Sequence, residues 1–126
     1  MTCRVFVAED EPDLRELYQD LLHGPEFEIV ALAPDGESAL TAYDGLARPP
    51  DVVLLDHRMP GRNGLEVARE IRARDPAARI LLASADRAVR EEARAAGVSD
   101  FLPKVFALAD LLRILRRHCA AAHASA

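Results

Sequence analysis

Residues Val52-Val53-Leu54-Leu55 are four consecutive apolar side chains that stop abruptly at Asp56. Neighbouring residues of a strand point to opposite faces, so a half-exposed strand alternates polar with apolar, and this one does not. It reads as a central strand covered on both sides, which is the condition of a parallel sheet with helices on each face.

The rest of the chain repeats the theme. Arg4-Val5-Phe6-Val7-Ala8, Glu28-Ile29-Val30-Ala31-Leu32, Ile80-Leu81-Leu82-Ala83 and Asp100-Phe101-Leu102 read as four further short strands. Between them lie helical stripes. Pro12 opens the first, with Leu14, Leu17, Tyr18, Leu21 and Leu22 on one face; Gly36 to Leu46 forms a weaker second. Leu65, Ala68 and Ile71 mark the third, Arg87 to Ala96 the fourth, and Leu108, Leu111, Leu112 and Leu115 the last. Five strands alternating with five helices predict an α/β fold, a doubly wound (βα)5 parallel sheet with right-handed crossovers. One domain over 1–120 is expected, followed by a disordered alanine-rich tail over 121–126.

Composition narrows the function. Sixteen Lys and Arg oppose 21 Asp and Glu in 126 residues, a net charge of −5, which argues against direct nucleic-acid or anionic-membrane binding. No apolar run is long enough to span a membrane and no secretory pattern opens the chain, so a cytoplasmic protein is expected. Cys3 and Cys119 lie near opposite ends without metal-binding spacing; they read as reduced thiols rather than a disulfide framework. His23, His57, His118 and His123 show no pairing and read as solvated. Of the sixteen basic residues only Lys104 is a lysine, a sign that its position needs a compact ammonium.

In an open α/β sheet, ligands bind beyond the carboxyl ends of the strands. Those ends carry Glu9 and Asp10, Asp56, Ser84 and Lys104, while Pro34-Asp35 after the second strand reads as a helix entry. Crowded carboxylates resist ionisation unless a cation joins them. All-oxygen ligands with room for water suit Mg²⁺, and the absence of Cys or His at these ends disfavours zinc. A hydroxyl and an ammonium beside one carboxylate fit phosphoryl transfer, with Asp56 as the candidate nucleophile.

These residues make the chain resemble the receiver domain of bacterial response regulators, the phosphoacceptor module of two-component signalling. The resemblance runs from Val5 to about Arg117. It rests on Val-Phe-Val-Ala-Glu9-Asp10-Glu-Pro, on Val-Val-Leu-Leu-Asp56-His-Arg-Met59-Pro60-Gly61-Arg-Asn-Gly64, on Leu-Leu-Ala-Ser84-Ala85 and on Ala-Gly97-Val-Ser-Asp-Phe101-Leu-Pro-Lys104. It implies a flavodoxin-like sheet in the order 2-1-3-4-5. It also implies that Asp56 accepts a phosphoryl group from a sensor histidine kinase or a histidine phosphotransfer protein. Mg²⁺ would be held by Asp10, Asp56, the Arg58 backbone carbonyl and, through water, Glu9. Lys104 would pair with Asp56 and then with the phosphoryl group. Ser84 and Phe101 would form the switch that alters the face of helix four, strand five and helix five. A downstream protein target or output domain would read that face, with a phosphorylation-dependent dimer as one outcome.

Two departures stand out. The family usually has proline after the lysine, with a cis peptide before it, whereas Val105 follows Lys104 here. A cis bond to a residue other than proline costs roughly 3 kcal/mol, so a trans peptide is expected. Arg58 and Asp86, two residues beyond Asp56 and Ser84, are expected to pair across the site mouth and lengthen the phosphorylated lifetime. The family implies a signalling module rather than an enzyme. The alternatives are a receiver-like interaction module that works without phosphorylation and an aspartate-nucleophile phosphatase. The phosphatase would want an acid where Arg58 stands. A flavodoxin-type cofactor binder is disfavoured, because no Ser/Thr/Gly-rich loop follows strand one. Whether the receiver stands alone or belongs to a longer regulator is open at this stage.

Overall fold

The computed structural model describes residues 1–124. Its strands are β1 (Cys3–Ala8), β2 (Phe27–Ala33), β3 (Val52–Asp56), β4 (Ile80–Ser84) and β5 (Asp100–Pro103), and its helices α1 (Pro12–Leu21), α2 (Gly36–Asp44), α3 (Gly64–Arg74), α4 (Val89–Ala95) and α5 (Leu108–Ala124). All pairings are parallel and the order is β2-β1-β3-β4-β5, as expected.

The uninterrupted apolar run of β3 does what its pattern requires. Val53 and Leu55 enter a core beneath α2, α3 and α4, together with Phe6, Leu65, Ile71 and Leu82. Val52 and Leu54 enter the opposite core beneath α1 and α5, with Val5, Val7, Tyr18, Leu111 and Leu115. Burying each such leucine is worth roughly 1.5–3 kcal/mol, so the two-sided run commits β3 to the centre of the sheet.

Local signals set the helix entries. Asp35 accepts the Ser38 N–H at 2.8 Å and caps α2. Asn63 caps α3 by accepting the Glu66 N–H at 2.9 Å, and the Glu66 carboxylate returns to the Asn63 N–H at 3.2 Å. This reciprocal capping box satisfies two otherwise orphaned donors.

Three sequence expectations are corrected at the far end of the sheet. Cys3 and Cys119 are joined in a disulfide, with Cα atoms 5.7 Å apart across a separation of 116 residues. Distance along the chain hid the pairing, because α5 packs back over β1. His118 is buried, with Nε2 3.2 Å from the Asp100 carboxylate, and His123 Nε2 lies 3.2 Å from Asp51. Neither is solvated, since both sit on the α5 side turned toward the strand starts. His57 is half-buried with an enclosed Nδ1, whereas His23 is exposed. Finally, α5 stays helical through Ala124, where a disordered tail was expected. Its ties to the sheet hold it, and residues 125 and 126 of that expected tail lie outside the described residues.

Candidate phosphoacceptor site

Strand register brings the chemistry together. Ala8 pairs with Leu55, so Glu9 emerges beside Asp56; Ser84 pairs with Pro103, so Lys104 emerges beside both. The last turn of backbone pairing fixes these exits. The Glu9 N–H donates to Ala33 O at 2.9 Å, His57 N–H to Ala83 O at 2.9 Å and Lys104 N–H to Ser84 O at 2.9 Å.

The Lys104 Nζ lies 3.0 Å from Asp56 Oδ1 and 3.2 Å from Glu9 Oε1. Oxygen atoms of Glu9, Asp10 and Asp56 all fall within 4.8 Å of one another. Glu9 is 1% exposed and Asp56 5%, so both carboxylates have given up nearly all their water. Burial, with the Asp56 charge adding to it, pushes the Glu9 carboxyl up to about 7, and Lys104 only partly opposes this. Burial also raises Asp56 against the opposing pull of Lys104. The ammonium loses solvation itself, but Asp56 and Glu9 outweigh that and hold it above the usual lysine range. One cation is therefore too few for three acids, and the cluster retains unmet demand for positive charge.

Over the cluster opens a cleft of about 410 Å³, lined by Asp10, Asp56, Arg58, Ser84, Asp86 and Lys104 among others. Ser84 is buried, and its Oγ accepts the Asp86 N–H at 3.0 Å. Phe101 is half-buried against the α2–α3–α4 core, with the Arg90 guanidinium 5.1 Å from its ring centre.

Gly64 holds the loop after Asp56 close. Its N–H donates to His57 O at 2.8 Å, and a Cβ there would stand 2.5 Å from Asp56 O and 2.7 Å from Leu82 Cδ1. No side chain fits that contact, which is why a glycine opens α3.

The structure thus gathers Glu9, Asp10, Asp56, Ser84 and Lys104 at one rim, with Phe101 behind them. Two expectations change. No ion pair joins Arg58 and Asp86 among the described residues; both line the cleft mouth, but the Asp86 carboxylate accepts the Ala88 N–H at 3.0 Å instead. A local backbone acceptor at the entry to α4 wins over a long, exposed pair. The Lys104–Val105 peptide is cis, not trans. Lys104 is held at both ends, by the Ser84 carbonyl and by the acid cluster, and this tertiary placement overrides the intrinsic trans preference.

Sequence reasoning missed Arg15, whose guanidinium donates to Glu9 O at 2.9 Å and Asp10 O at 2.8 Å. Its place one turn into α1 was the available signal. It also missed the Tyr18 hydroxyl, buried without a hydrogen-bond partner among the described residues and raised above its ordinary range by burial and by the charges of Glu9 and Asp56.

The family model for the response regulator receiver domain matches residues 5–116. The chain belongs to that family. This receiver is 36% identical over 110 residues to the transcriptional regulatory protein PdtaR of Mycobacterium tuberculosis, covering 86% of the chain and 53% of PdtaR. It therefore spans about half the length of that relative. It is 31% identical to the chemotaxis protein CheY of Listeria monocytogenes, covering 90% of the chain and 96% of CheY. Among solved structures it resembles the receiver domain of a sensor histidine kinase from Pseudomonas aeruginosa, solved with a magnesium ion coordinated in the active-site cleft. That likeness has a TM-score of 0.80 and 28% identity, covering 95% of this chain and 99% of that one. Receivers are signalling modules of two-component systems. No helix among the described residues is long and apolar enough to cross a membrane.

Proposed function

We propose that this receiver takes a phosphoryl group onto Asp56 from a phosphohistidine of a sensor histidine kinase or a histidine phosphotransfer protein. The observation that carries the reading is the Lys104 ammonium set 3.0 Å from Asp56 and 3.2 Å from Glu9, beneath an open cleft. Asp10, Asp56 and the Arg58 carbonyl would hold Mg²⁺, with Glu9 joining through water. The all-oxygen donor set, its mutual closeness and its charge deficit fit that ion. Bound there, Mg²⁺ would neutralise charge on the phosphoryl oxygens.

In the transfer, an Asp56 carboxylate oxygen bonds to phosphorus as the phosphorus–nitrogen bond breaks and the histidine leaves. Lys104 moves its hydrogen bond from Asp56 to a phosphoryl oxygen. Ser84 gives up the Asp86 N–H and donates its own hydroxyl to another. Phe101 then turns into the vacated space, releasing Arg90 and altering the surface formed by α4, β5 and α5 for a downstream protein or output domain, including a second copy of the receiver. This local charge event biases a two-state element. The donor and the downstream partner place the receiver's work in the cytoplasm.

Intact-mass analysis after incubation with acetyl phosphate tests the reading. One phosphoryl adduct is expected with Mg²⁺, and none without the metal or in Asp56→Asn. Arg58 and Asp86, at the mouth, set how readily water reaches the acyl phosphate. Replacing both by Ala is expected to change the decay of the adduct by severalfold, followed by the loss of adduct mass with time.

A further inference from the structure

The disulfide lies at the opposite end of the sheet from Asp56, at the first residue of β1 and in the last turns of α5. Both cysteines are buried, and their Cα separation of 5.7 Å falls in the ordinary range for a bridge, so the backbone of β1 and α5 accommodates the bond. The surrounding turns of α5 are tied to other strand starts without covalent help. Arg116 pairs with Glu26 at 2.6 Å, Arg117 with Asp100, His118 with Asp100 at 3.2 Å and His123 with Asp51 at 3.2 Å. These ties would return the two sulfurs to register after each opening of the last turns of α5, so closing and opening need local fraying rather than global refolding.

We propose that Cys3 and Cys119 are a reversible redox modification site that locks the end of α5 to β1. The oxidant is a low-molecular-weight disulfide of the glutathione class. A cysteine thiolate, exposed as the last turns of α5 open, attacks one glutathione sulfur and expels a glutathione thiolate. The second cysteine, as thiolate, attacks the mixed disulfide and expels the other. The two cysteines lose two protons and two electrons. The electrons reduce oxidised glutathione, and the protons end on its two thiols. Excess reduced glutathione or dithiothreitol drives the same exchange backwards. Bonds of this kind in reducing compartments are usually transient and redox-sensing rather than structural.

The bond closes a ring over nearly the whole chain and should therefore act on global stability, while leaving the distant phosphoacceptor cleft unchanged. The test equilibrates the full chain in glutathione buffers of graded redox poise, traps free thiols by alkylation, reads intact mass and records Tm by calorimetry. The oxidised protein is expected to be two hydrogens lighter, to carry no alkylated thiol and to melt higher by on the order of 10 °C. Dithiothreitol is expected to return both readings. Cys3→Ser and Cys119→Ser are expected to abolish the redox-dependent shift, and the wild-type comparison stands alone if either variant folds poorly. Asp56 adduct formation is expected at equal rates in both redox states, so loss of phosphoacceptance would not mimic loss of the switch. Stable glutathione adducts, disulfide-linked dimers, a Tm indifferent to redox poise or a bond that dithiothreitol cannot open would each overturn the proposal.

Discussion

Glu9 lies beneath the cleft floor with Asp56 and Lys104 as its neighbours, and its carboxyl is pushed up to about 7 from an ordinary 4.5. A raised acid holds its proton more tightly in the folded chain than in the unfolded one. Its contribution to stability is therefore full below about 4.5 and lost as pH rises through about 7. In metal-free protein, urea denaturation is expected to show this decline across that window, and Glu9→Gln is expected to flatten it. The sign reverses for Mg²⁺, which needs the carboxylate. Calorimetric titration is expected to show affinity rising with pH through the same range, less steeply in Glu9→Gln. The identities of these residues were legible in the sequence because each follows a strand, and the single lysine stood out. The depth of Glu9 was not, because it depends on how α1 and its Tyr18 close over the strand ends. Nor was the Arg15 clamp, since an arginine one turn into a helix more often faces solvent.

The segment from Asp56 to α3 is controlled at the scale of a turn and a helix cap. Asn63→Ala removes the reciprocal cap and is expected to cost about 1 kcal/mol, measured by chemical denaturation. Gly64→Ala pushes a methyl group into Asp56 O and Leu82 and is expected to cost more, roughly 1–3 kcal/mol, while also slowing phosphorylation by displacing Asp56. The strands were readable to within a residue or two, whereas the Asn63–Glu66 cap went unread although its spacing lies in the sequence. The Lys104–Val105 geometry was not readable. Local preference argued for trans, but the residue is held by Ser84 on one side and by two carboxylates on the other, partners that no local window contains. Asp86 illustrates the reverse error, in which an imagined long-range ion pair lost to an N–H two residues away.

At the scale of the molecule, the two-sided apolar run of β3 made the layered architecture legible, and alternation of elements made the sheet parallel. What stayed hidden was the meeting of the strand starts with the last helix, where Cys3 joins Cys119, Asp100 meets Arg117 and His118, and Asp51 meets His123, from distant parts of the chain. Such neighbours follow from topology alone, and neither cysteine nor histidine spacing encodes them. The closeness of Cys3 to Cys119 has an engineering consequence. A short glycine–serine linker between the start of β1 and the end of α5, with new ends cut in the exposed stretch at Ala47-Arg48, gives a circular permutant that begins with β3 and keeps every pairing. We expect its circular dichroism to match the parent. The rearrangement brings β1 and α5 together along the chain but moves β3 and α3 far from β1 and α2, whose pairings are denser, so refolding should be slower than in the parent, measurable by stopped flow.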